Sequence, residues 1–104
     1  MSKYRQTTPE QLVNFQAHAQ KMMARVIELN ATTPHRIIFS INSPTDNDVS
    51  VDLYWYINAD FDKHQQPQTD YSCAYSWLSI KKQEKWFRDA HIGLDLLVAE
   101  NKAA

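Results

Sequence analysis

Residues 48–58 read Asp-Val-Ser-Val-Asp-Leu-Tyr-Trp-Tyr-Ile-Asn, and their apolar and polar side chains alternate without interruption. Because successive side chains of a β-strand point to opposite faces, this segment is predicted to be a strand with two different faces. Its apolar face carries Val49, Val51, Leu53, Trp55 and Ile57. The opposite face carries Ser50, Asp52, Tyr54, Tyr56 and Asn58. The apolar face is expected to organise a core, and the tyrosine face is the best candidate for a contact surface.

A helix is predicted ahead of this strand, because Thr8-Pro9-Glu10-Gln11 is a start signal. The Thr8 hydroxyl can cap free amides, proline suits the first helical position, and Gln11 can complete a capping box. Pro34 and the two threonines before it predict that the helix ends near Asn30. Apolar residues recur in the helix at spacings of three and four, which predicts one buried stripe: Leu12, Phe15, Ala19, Met22, Met23, Val26 and Ile27.

Two more strands and a second helix follow from the same patterns. Residues 36–42 predict a strand with Ile37, Phe39 and Ile41 on one face, and residues 71–78 alternate again. Trp77 is expected to face the core, since large aromatic side chains are mostly buried. Ser79 is a candidate cap for the last helix, which should run to about residue 100. The apolar stripe of that helix contains Trp86, Phe87, Ala90, Leu94, Leu97 and Val98.

The predicted fold is an α+β domain with the element order αβββα. Two amphipathic helices, one N-terminal and one C-terminal, would cover the apolar face of a three-stranded antiparallel meander in two layers. The 104 residues fit a single domain over residues 1–104. One cysteine, Cys73, excludes an internal disulfide, and no segment has the apolar length of a membrane span or signal peptide. A cytoplasmic protein is therefore expected, without membrane attachment.

The tyrosine face gives the leading functional hypothesis, a non-enzymatic module that binds another protein or a second copy of itself as a homodimer. Aromatic residues of the third strand, if they face the same way, would make this surface too apolar to leave exposed. Short length, aromatic content and an acidic segment over residues 44–72 are typical of small inhibitors, immunity proteins and accessory factors of bacteria and phages. The candidate contact residues are Ile38, Asp52, Tyr54 and Tyr56.

Basic residues at the start of the last helix support an alternative hypothesis, nucleic-acid binding: Lys81, Lys82, Lys85 and Arg88. The element order, with lysines at that place, resembles the double-stranded-RNA-binding domain. The resemblance implies that these lysines contact phosphates across a groove. The chain departs from that family in two places. Its turn over residues 43–48 carries two aspartates instead of the glycine-proline and histidine signature, and no glycines lead into the last helix.

A metal-dependent enzyme is a third hypothesis, based on Asp60, Asp62 and His64 at alternate positions of a polar segment. A solvated loop explains the same residues, since an EF-hand would also need its glycine and closing glutamate. Cys73 has no basic neighbour in sequence that would activate it, so an inert thiol is expected. With one glycine, the chain has no Gly-rich phosphate loop, and no hydrolase, zincin or dithiol motif occurs. No cofactor and no catalytic residue are predicted.

Overall fold

The computed structural model describes residues 6–57 and 73–100, which form two helices and three strands. Helix α1 spans Pro9–Thr32, strand β1 spans Arg36–Asn42, β2 spans Ser50–Tyr56, β3 spans Cys73–Tyr75, and α2 spans Ile80–Glu100. The sheet has the order β1-β2-β3, and both pairings are antiparallel. The predicted α+β fold and the order αβββα are confirmed. Neither helix in this described part is long and apolar enough to cross a bilayer.

Helix α1 begins as its sequence predicts and ends two residues later than expected. The backbone N–H of Gln11 donates to Thr8 Oγ1 at 3.2 Å, and the Thr8 N–H donates to Gln11 Oε1 at 2.9 Å, which completes the capping box. At the other end, the Thr33 hydroxyl and N–H both donate to the Leu29 carbonyl. Thr33 is extended because the following Pro34 disfavours a helical conformation there. These threonine contacts let the helix continue past Asn30 before it stops.

The apolar face of β2 is buried under both helices, as the alternation predicted. Val51 and Leu53 are 0% exposed and Trp55 is 5% exposed. The register places each of them opposite an apolar residue of β1, and Val51 also lies opposite Ala74 of β3. The helices supply the rest of the core, namely Phe15, Ala19, Met22, Val26 and Leu29 from α1 and Phe87, Ala90, Leu94 and Leu97 from α2. Val49 and Ile57 are partly buried against the same core.

The predicted buried stripe of α1 is too wide. Leu12, Met23 and Ile27 are 39%, 41% and 64% exposed, and Ile41 of β1 is 53% exposed. The three helix residues lie on the side of α1 that borders β1, next to Ile41. Strand β1 is an edge strand of the sheet. Since helical spacing identifies an apolar side without showing how far the sheet beneath it extends, the sequence could not separate these positions from the core.

The third strand ends earlier than predicted, and the expectation that Trp77 faces the core is wrong. The ladder ends at Tyr75, and the Leu78 N–H then donates to the Tyr75 carbonyl in a turn. Ala74, fully buried, is the inward residue of β3. Trp77 lies outside the core and stacks on Tyr75, with ring centroids 5.0 Å apart and planes at 16°. A small alanine facing inward leaves room for the helix layer above the strand.

Candidate protein interaction surface

The sheet face opposite the helices, called here the outer face, combines aromatic and polar side chains from all three strands. Both helices pack on the other face, where the core lies. Register places Ile38 opposite Tyr54, Ser40 opposite Asp52, and Asp52 opposite Cys73. The outer face consists of Arg36, Ile38, Ser40, Asn42, Ser50, Asp52, Tyr54, Tyr56, Cys73 and Tyr75. The four predicted contact residues therefore share one surface, and β3 adds a further tyrosine to it.

Two aromatic pairs lie at opposite ends of the outer face. Tyr54 and Tyr56 form an edge-to-face pair with ring centroids 6.2 Å apart, next to Ile38 on the neighbouring strand. Tyr75 and Trp77 form the stacked pair at the other end, where Tyr75 lies opposite Ser50. All four rings are half-buried. Because each ring is packed against its neighbour, these side chains would lose little conformational entropy when a partner binds.

A polar patch separates the two aromatic pairs. The Asn42 amide donates to Asp52 Oδ2 at 2.8 Å, which holds the carboxylate on the surface of the central strand. Burial raises the pKa of the neighbouring Cys73 thiol, and the adjacent Asp52 raises it further. A hydrogen bond with Cys73 raises the pKa of the Tyr75 phenol. Both groups are therefore protonated at neutral pH, and the thiol is poorly suited to act as a nucleophile.

A hydrogen-bonded cluster behind the surface fixes the indole of Trp77. Trp77 Nε1 donates to Asp48 Oδ2 at 3.2 Å, and the Ser76 hydroxyl donates to Asp48 Oδ1 at 3.3 Å. Asp48 is only 6% exposed, so these donors compensate for the loss of water around its carboxylate. Ser76 Oγ also accepts from the Val49 N–H at 3.2 Å. The cluster joins the turn before β2 to the turn after β3.

Sequence reasoning did not identify Asp48 as a supporting residue, and it left the side of Tyr75 open. Both alternations of residues 73–78 contain apolar side chains, so the pattern alone did not choose between them. Asp48 lies in an aspartate-rich turn, where such residues are usually solvated. Its partners Ser76 and Trp77 are 28 and 29 residues away along the chain, and no local pattern reports contacts of that separation.

The residues of the two other functional hypotheses lie away from the outer face or outside the described residues. Lys81, Lys82, Lys85 and Arg88 are all exposed on the first turns of α2. Lys85 forms an ion pair with Asp89 at 2.6 Å, which offsets part of the positive charge. Asp60, Asp62 and His64 lie outside the described residues. Within residues 6–57 and 73–100, no group of three or more His, Cys, Asp or Glu side chains is placed to hold a metal ion.

No protein-family model, curated protein or solved structure matches this chain.

Proposed function

We propose that the chain is a non-enzymatic interaction module that binds another protein through its outer face. The contact surface would comprise Ile38, Asp52, Tyr54 and Tyr56, extended by Tyr75 and Trp77. The observation that supports this proposal is the presence of two packed aromatic pairs on the sheet face opposite both helices. An accessory or inhibitory role, of the kind that small bacterial and phage proteins fulfil, suits a surface of this type.

The chemistry of the outer face favours a partner that combines apolar groups with a cation. Tyrosine and tryptophan are enriched at protein interfaces, because they bury large areas with few rotatable bonds and retain a polar group for hydrogen bonding. The Asp52 carboxylate at the centre would attract a lysine or arginine of the partner. Apolar side chains on both sides of that cation would then cover the two aromatic pairs.

The test is affinity capture with the wild-type chain and a Tyr54→Ser, Tyr56→Ser variant as baits in extracts of the native host. The matched control is Ile92→Ser, Leu96→Ser, which removes two exposed apolar side chains from α2. We expect one protein to be retained by the wild type and the control but lost by the tyrosine variant. Titration of that protein should show binding at least about tenfold weaker in the tyrosine variant, as for interface anchors. Identical captures by all three baits would refute the proposal.

Nucleic-acid binding is the alternative, favoured by the exposure of all four basic residues at the start of α2. Phosphate contacts weaken steeply as salt rises, so fluorescence anisotropy with a labelled RNA duplex at low and moderate salt separates the two functions. The outer-face proposal predicts no binding at low salt. Salt-sensitive binding that is abolished by Lys81→Glu, Lys82→Glu would instead establish the alternative.

A further inference from the structure

Asn30 identifies which backbone groups of β1 face the open edge of the sheet. Its side-chain Nδ2 donates to the Ile37 carbonyl at 2.8 Å, and its Oδ1 accepts from the Ile37 N–H at 2.8 Å. The amide thus contacts Ile37 as a neighbouring strand would. In antiparallel sheets, alternate residues direct both backbone groups to one neighbour or to the other. Ile37 therefore faces away from β2, and by the same alternation so do Phe39 and Ile41.

In the part of the chain that the structure describes, the edge of β1 beyond Asn30 is unpaired and lacks the usual protection of an edge strand. Among residues 6–57 and 73–100, no side chain and no loop backbone group bonds the N–H or C=O of Phe39 or Ile41. β1 pairs with β2 in unbroken register over seven residues, so no bulge bends this edge. It also contains no proline or lysine, which commonly protect edges from pairing with other strands.

Uncharged side chains continue from this edge across α1. Met23 and Ile27 border a groove of about 680 Å³ above the first half of β1. A second groove of about 230 Å³ lies beside Ile41 and is bordered by Leu12, Gln16, Gln20 and Met23. Leu12, Met23, Ile27 and Ile41 are between 39% and 64% exposed. Two copies of such a surface can meet without repulsion between like charges.

We propose that β1 pairs antiparallel with β1 of a second copy, across a two-fold axis at Ser40. The two open residues, Phe39 and Ile41, lie symmetrically about Ser40, so Phe39 of each copy would exchange two hydrogen bonds with Ile41 of the other. The Asn30 side chain already bonds the backbone N–H and C=O of Ile37, so these groups cannot pair with a second copy. This excludes a register shifted toward the start of β1. Charge also favours a second copy as the occupant, because in this register exposed Arg36 of each chain would lie opposite Pro44 of the other, two positions along the chain from the exposed Asp46.

The dimer would contain one continuous six-stranded sheet with all four helices on the same side. Met23 and Ile27 of the two α1 helices would approach each other over the axis and lose contact with water. The two outer faces would lie side by side on the opposite surface, and neither would be covered. Dimerisation is therefore independent of the function proposed for the outer face.

A cysteine at the axis tests the register directly. In a non-hydrogen-bonded antiparallel pair the Cα atoms are about 4.5 Å apart, which is within the range of a disulfide. Ser40→Cys, made in a Cys73→Ser background, should therefore give a cross-linked dimer under mild oxidation. The control is Glu84→Cys in the same background, at an exposed position of α2. We expect Ser40→Cys to cross-link about tenfold or more faster, because its thiols would be held together. Equal rates would overturn the proposed register.

Light scattering separates this dimer from one formed through the tyrosines. The wild type and Tyr54→Ser, Tyr56→Ser should both be dimers, whereas Ile27→Lys, Ile41→Lys should be a monomer. Both isoleucines are more than half exposed, so the lysine variant should fold, as circular dichroism would verify. A wild-type chain that remains monomeric up to about 1 mM would overturn the proposal. Loss of the dimer in the tyrosine variant alone would also overturn it and would place self-association on the outer face.

Discussion

Gln83 is a buried polar residue that joins the start of both helices, and replacing it by methionine is expected to be strongly destabilising. Gln83 is 0% exposed. Its Nε2 donates to the Ser76 and Leu78 carbonyls at 2.9 and 3.0 Å and contacts the Gln11 carbonyl at 3.3 Å. Its Oε1 accepts from the Asn14 amide at 2.9 Å. Methionine has nearly the same length, so Gln83→Met would remove the hydrogen bonds with little change in volume.

The size of the effect follows from the groups that would lose their partners. The Gln11 carbonyl lies within α1 and retains its helical hydrogen bond, and the Asn14 amide is only half-buried and can contact water. The Ser76 carbonyl is bonded in a buried contact and the Leu78 carbonyl in a partly buried one. Leaving one buried group without its hydrogen bond lowers the free energy of unfolding by about 1–3 kcal/mol. The two carbonyls together imply that Gln83→Met lowers it by about 3 kcal/mol.

Urea unfolding followed by circular dichroism measures this loss. With an m value of about 1.5 kcal/mol per molar, the midpoint of Gln83→Met should fall by about 2 M. Glu84→Met is the matched control, since its neighbouring position is exposed and its midpoint should barely change. A loss below about 0.5 kcal/mol in Gln83→Met would refute the claim that these hydrogen bonds stabilise the junction of the two helices.

Three other predictions concern stability and can be measured by the same unfolding assay. Thr8→Ala removes the capping box of α1 and should cost about 1 kcal/mol, whereas Thr8→Ser should retain most of it. Trp77→Phe leaves buried Asp48 without its indole donor and should cost about 1–2 kcal/mol; an unchanged midpoint would refute that role. Burial, followed by the nearby Arg25 charge, lowers the pKa of His91 in the folded chain. As the pH falls, His91 is therefore protonated in the unfolded chain before it is protonated in the folded chain. The free energy of unfolding should decrease as the pH drops below 6.5, and it should decrease less steeply in His91→Gln.

The sequence predicted those parts of the fold that depend on local patterns. Alternation in residues 48–58 located β2 and its buried face, because one side of a strand must meet the core for the sheet to be stable. The Thr8 and Gln11 pairing located the start of α1, since a capping box satisfies amides only a few residues away. In both cases the determining contacts lie within a short segment, or follow from which side of it is apolar.

The parts that the sequence could not predict depend on contacts between distant segments. Ile27 has the spacing of a core residue, yet it lies beside the open edge of β1, which only the strand order reveals. Trp77 was expected inside because of its size, but a hydrogen bond to Asp48 and stacking on Tyr75 hold it outside the core. Gln83 lies near Ser76 and Leu78 in sequence, but its other two partners, Gln11 and Asn14, are about 70 residues away, so no local pattern showed that it would be buried between the helices.

One face of β2 packs in the core, and we propose that the other is a contact surface. The most direct test compares the free energies of unfolding of Trp55→Ala and Tyr54→Ala, which truncate adjacent aromatic residues on opposite faces. Trp55 is 5% exposed and Tyr54 is half-buried. The structure predicts a loss of about 3–5 kcal/mol for Trp55→Ala and about 1 kcal/mol for Tyr54→Ala. Equal losses, or a Trp55→Ala variant as stable as the wild type, would contradict the assignment of the two faces.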